Sequence, residues 1–172
     1  MNYPIHYPNF FTATILNWNH LLNQDKYKDI ITSSLSYLVN EKRVQVFAFV
    51  IMSSHIHLIW RMMNDSKQSE VQQSFMKYTA QMIIKELRNN HPEMLEQFYV
   101  GARDRKYQIW ERNALSIELR SKEVYYQKLL YIHENPVKAG LSLKTENYHY
   151  SSASLYETNH TNWNFLEKLR ED

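Results

Sequence analysis

The stretch VQVFAFVIMSSHIHLIWR, Val44 to Arg61, is the part of the chain around which everything else can be arranged. Val44 to Ile51 is nearly all apolar, as expected of a strand buried on both faces. Ser53-Ser54 offers a turn, and His55 to Arg61 alternates in type. That alternation predicts a second strand pairing with the first across the turn. Successive strand side chains point to opposite sides, so His55 and His57 share one face while Ile56, Leu58 and Trp60 share the other.

On the N-terminal side, Phe10 to Ile15 is rich in aromatic and β-branched residues and reads as a further strand. A helix follows it: Asp25 can cap or start it, and Ile30, Ile31, Leu35, Leu38 and Val39 recur at helical spacing up to Asn40. On the C-terminal side, Ser69 followed three residues on by Gln72 has the capping-box form, and Val71, Phe75, Tyr78, Met82 and Ile83 supply an apolar stripe behind it. This helix runs to about Asn89, where Asn90-His91-Pro92 stops it. A less regular stretch reaches Tyr107, and Ala114 to Arg120 gives a fourth strand. Ser121 caps a last major helix through His133, ended by Asn135-Pro136, because a residue before proline is pushed out of the helical region. After Gly140 the chain is polar and aromatic, with short helical pieces at best. The order strand, helix, strand, strand, helix, strand predicts an α+β fold of ferredoxin-like (split βαβ) type. That is an antiparallel sheet with helices on one face, plus an added C-terminal helix, in a single domain over residues 1–172.

Composition narrows the function. The 172 residues are 44% hydrophobic, 22% charged and 14% aromatic, enough for one sizeable core. Only Gly101 and Gly140 are glycines, which excludes a Gly-rich phosphate cradle and a dinucleotide fingerprint, so no nucleotide cofactor is expected. Cysteine is absent, and with it disulfides, thiolate metal sites and thiol nucleophiles. Twenty Lys and Arg against 18 Asp and Glu give a net charge of +2, so any affinity for nucleic acid must be local. No apolar run is long enough to span a bilayer and no targeting segment is evident between Met1 and Phe10. The expectation is a cytoplasmic protein without a membrane partner.

Two constellations can carry chemistry. His55 and His57, two apart on one strand face, can converge on one metal ion, or they can simply occupy a half-exposed sheet face. Gln127, Tyr131 and Asn135, spaced by four, form one polar stripe on the last helix, with Lys128 beside it. His133 should point elsewhere, as a packed or capping histidine near the helix C-terminus, where its charge would be favoured.

The sequence resembles the HUH single-tyrosine transposases and, within them, the REP-associated tyrosine transposases. The resemblance rests on Phe49 to Ile59 with its His55-Ile56-His57, on Ile109-Trp110-Glu111-Arg112, and on Tyr131-Ile132-His133-Glu134-Asn135-Pro136 through Leu141. It extends from the first strand to Tyr150-Ser151-Ser152-Ala153. Members usually have Pro-Asn where Ser53-Ser54 stand, and serine also serves in a turn. The resemblance implies that His55 and His57 bind a divalent metal, that Asn135 is its third ligand, and that Tyr131 is the nucleophile. It further implies cutting and rejoining of single-stranded DNA near hairpin (repetitive palindromic) elements through a 5′-phosphotyrosine with a free 3′-OH. Mg²⁺ or Mn²⁺ suits mixed imidazole and oxygen ligation beside a phosphate.

Arg103, Arg105, Lys106, Arg112, Arg120 and Lys122 cluster before the last helix and, with Lys128, are the expected DNA contacts. Tyr107 and Trp110 lie among them and can stack on bases, or Trp110 can be core; Met62 and Met63 read as packing. Two other classes compete: a catalytically silent, domesticated hairpin-binding module, indifferent to chelator, and a small metallohydrolase indifferent to Tyr131. The protein would act as a monomer or homodimer.

Overall fold

The computed structural model describes residues 6–170, so both ends of the 1–172 span lie outside the described residues. The elements are β1 (Asn9–Thr14), α1 (Asp25–Asn40), β2 (Val44–Ile51), β3 (His55–Met62), α2 (Gln68–Asn90), α3 (Pro92–Leu95), β4 (Leu115–Glu118), α4 (Lys122–Lys138) and α5 (Ala153–Thr158). The four strands form one antiparallel sheet in the order β2-β3-β1-β4, the ferredoxin-like arrangement that the element order predicts.

The helices do not all lie on one face. α1 and α2 cover the side carrying Phe11, Ala13, Val46, Phe49, Ile56, Leu58 and Trp60. α4 covers the other, where Tyr125, Leu129 and Ile132 pack on Phe10, Phe47, Ala48, Val50 and Ile59. This is why β2 is apolar almost throughout: it is buried from both sides. A bulge between Val46 and Ala48 adds Phe47 to the α4 side, so that Phe47 and Ala48 both face α4 while Val46 and Phe49 face α1 and α2.

Two helix ends differ from the sequence reading. The Ser69/Gln72 capping box does not form: Lys67 is the N-cap and provides no side-chain cap. Instead Gln68 and Gln72 donate to Ser116 Oγ at 2.7 and 2.9 Å, tying α2 to β4. α4 begins as expected, with Ser121 Oγ accepting from the Val124 N–H, but it runs through Pro136 to Lys138. Burial of Ile132, His133 and Pro136 outweighs the local bias against a helical residue before proline. The true end is a Schellman motif, in which Gly140 at φ 73° donates to Val137 O and Leu141 donates to Pro136 O. Asn135 therefore stays helical, one turn beyond Tyr131.

Candidate functional site

The site forms where α4 crosses β1 and β3. Antiparallel register sets Thr12 opposite His57 and Thr14 opposite His55, and Phe10 faces the same side as Thr12. The two imidazoles converge, with ring centroids 4.9 Å apart. His57 is only 4% exposed. Phe10 stacks on it at 5.4 Å, and Thr12 Oγ1 lies 2.7 Å from its Nδ1. Its Nε2 is buried without a hydrogen-bond partner. In the tautomer whose Nδ1–H donates to Thr12 Oγ1, Nε2 carries a bare lone pair.

α4 brings the polar stripe onto this pair. The Tyr131 ring meets His57 at 5.2 Å and Phe10 at 6.0 Å, within one chain. Asn135 lies beside the His55 ring, whose Nδ1 is 3.3 Å from Ser54 Oγ. Lys128 Nζ sits 4.8 Å from the Phe10 ring and 5.8 Å from that of Tyr131. Gln127 is exposed on the same stripe. Burial, and then the neighbouring His55 and Lys128, push the His57 pKa down to about 3; burial lowers that of His55 as well, opposed in part by Asn135. Both rings are thus neutral at pH 7, the form in which imidazole ligates metals. Among the described residues no group of three His, Asp or Glu converges as a metal site. The donor set that fits a divalent ion is the orphaned Nε2 of His57, the His55 ring and the Asn135 amide oxygen.

The other basic residues lie on the segment before α4 and at its start. Arg105 and Arg112 lie in a groove of about 540 Å³ beside Gln73 and Lys77 of α2, and both pair with Asp104, at 2.8 and 3.4 Å. Arg103 and Lys106 are exposed on the same segment, with Lys106 over the Tyr107 ring. Arg120 pairs with Glu118 and covers Tyr7, and Lys122 opens α4. Lys128 stands on the histidine face, over Phe10 and Tyr131. Ile109 and Trp110 are buried in the core under α1 and α2. Trp110 is core, with its indole N–H on Thr79 Oγ1, and Tyr107 donates to Glu96. Met62 is packed, as expected.

No known family profile matches the chain, and no curated protein does. Solved structures do. One is a REP-associated tyrosine transposase bound to a REP hairpin: TM-score 0.65 at 17% identity, covering 99% of this chain and 97% of that one. The chain has the fold of that transposase. A second, a protein from Deinococcus radiodurans described as a transposase, aligns with a TM-score of 0.53 at 14% identity over 78% of this chain and 94% of its own. No helix among the described residues is long and apolar enough to cross a membrane.

Sequence reasoning passed over Thr12, Phe10 and Trp18. Alternation along the first strand puts Phe10 and Thr12 on one face, but only the β1–β3 register shows that this is the histidine face. His133 is packed, as predicted, but not charged. It is buried with Nε2 2.8 Å from Ser152 Oγ, and burial lowers its pKa to about 4. The helix continues to Lys138, so no helix terminus favours a cation there.

Two buried imidazoles with depressed pKa values make the fold acid-labile. The unfolded chain takes up protons near pH 6.5 and the folded chain does not, so stability is complete above 6.5 and falls as pH drops toward the folded values. Between pH 6.5 and 5 the loss is up to about 1.4 kcal/mol per pH unit for each ring. Urea midpoints of metal-free protein at pH 7.5 and 5 measure it, and His133→Gln should flatten the dependence. Equal midpoints at the two pH values would contradict the burial argument.

Proposed function

We propose that the protein is a metal-dependent single-stranded DNA strand transferase that cuts and rejoins DNA near hairpin elements, with Tyr131 as nucleophile. The observation that carries this reading is the Tyr131 ring 5.2 Å from a buried imidazole whose Nε2 has no partner, in one chain. Most buried polar atoms in folded proteins find a partner, and an ion at the orphaned Nε2 would supply one. The shared fold with a transposase that binds a REP hairpin supports DNA as substrate.

In this reading His55, His57 and Asn135 would hold Mg²⁺ or Mn²⁺, which when bound would supply Lewis-acid stabilisation of charge on a phosphate. Thr12 and Phe10 fix the His57 ring. The Tyr131 phenol oxygen attacks phosphorus and the P–O3′ bond breaks. The DNA 5′ end is left on Tyr131, and the departing 3′-oxygen takes up a proton to become a hydroxyl. Lys128, with its Nζ 5.8 Å from the Tyr131 ring, offers a positive charge beside the reacting phosphate. The phosphotyrosine retains the phosphodiester bond energy, so rejoining needs no nucleotide.

The test is incubation with single-stranded hairpin DNA and Mn²⁺, followed by denaturing electrophoresis. A protein–DNA band that survives denaturation is expected. Its absence from protein that binds the same DNA would refute catalysis and favour a silent hairpin-binding module.

A further inference from the structure

Trp18 is 63% exposed. A lone surface aromatic needs no explanation, but the backbone here is held at a cost. Asn17 and Trp18 both have φ 55°, a left-handed conformation that asparagine tolerates and a bulky residue rarely adopts. The corner is stapled in place. Leu16 N–H donates to Ile109 O at 2.7 Å, Asn17 N–H donates to a Glu111 carboxylate oxygen at 2.6 Å, and Glu111 N–H donates to Thr14 O at 2.7 Å. On its other flank Ile15 N–H donates to Ser54 O, immediately before His55. The Ile109-Trp110-Glu111 segment thus acts as a brace: Trp110 is buried, Ile109 and Glu111 hold the corner, and the indole stands in solvent. The Trp18 ring meets that of His55 edge to face, with centroids 5.7 Å apart.

We propose that Trp18 is a preset stacking platform for an unpaired base of the DNA strand passing the His55–His57 site. The inference rests on the single-strand reading above. An indole held rigidly beside the imidazoles offers an open π-face at little conformational cost, and stacking on such faces takes any base without reading its edge. The strand on either side of the reacting phosphate would thereby be held flat against the site. Burying this ring in the core would instead have removed its apolar surface from water without strain.

The experiment compares a DNA hairpin carrying a single-stranded flank with the same hairpin lacking it, by fluorescence anisotropy at fixed salt, in a Tyr131→Phe background so that no strand is cut. Trp18→Leu should weaken binding of the flanked hairpin by about tenfold and leave the bare hairpin unchanged, while Trp18→Phe holds within a few-fold of the parent. One abasic position in the flank should cost the parent as much and cost Trp18→Leu nothing further. Trp18→Gly, which accepts the left-handed φ without strain, should lose the same affinity with no fall in melting temperature. Equal affinities of parent and Trp18→Leu for the flanked hairpin, equal losses on both DNAs, or a lowered melting temperature of Trp18→Gly would overturn the proposal. Because the readout is binding, failure of the covalent-adduct test with intact flank-dependent stacking would sink the catalytic reading alone.

Discussion

Tyr131→Phe is expected to abolish covalent attachment to hairpin DNA, a loss on the order of 10³-fold or more, because no other oxygen nucleophile replaces a phenol removed from the site. The substitution deletes one oxygen from a side chain that is 45% exposed. The ring contacts with His57 and Phe10 remain. Stability should therefore stay within about 0.5 kcal/mol of the parent, and DNA affinity should persist. The measurement is the denaturation-resistant adduct, set beside anisotropy binding of the same DNA. An adduct at parental yield in Tyr131→Phe would transfer the nucleophile to another residue. A metallohydrolase that merely shares the histidines predicts no adduct in either protein.

The second large effect is on metal binding. His57→Phe should weaken Mn²⁺ binding by about a hundredfold or more, since loss of an orienting partner alone costs about 10- to 100-fold. Phenylalanine keeps the ring volume and can keep the stack on Phe10, so a folding defect does not mimic the loss. It also removes an imidazole that resists protonation, and the variant should be less acid-sensitive than the parent. Thr12→Val, which leaves the ligand but deletes its 2.7 Å partner, should fall between parent and His57→Phe. Calorimetric titration with Mn²⁺, without DNA, reads all three. Unchanged affinity in His57→Phe would remove the histidine pair from the metal site.

Much of this was legible in one dimension. Alternation at His55-Ile56-His57 placed both rings on one strand face, and spacing by four aligned Gln127, Tyr131 and Asn135 on a helix. The strands and helices fell close to their predicted bounds because each showed an apolar run, strand composition, alternation or helical apolar spacing between polar, Gly or Pro punctuation. Local rules failed where another part of the chain intervened. Pro136 did not end α4, because burial of Ile132, His133 and Pro136 outweighs the preference of one dihedral. Gln72 bonds Ser116 rather than completing a capping box.

What one-dimensional pattern established, then, is the identity of the elements and the face each reactive side chain takes, since both follow from backbone periodicity. It could not establish which faces meet. That α4 lies on the histidine face rather than beside α1 and α2, that Thr12 stands opposite His57, and that a strained corner holds Trp18 against His55 all depend on strand register and on which apolar surfaces remain to be covered. These are contacts between residues tens of positions apart, settled by packing the whole sheet.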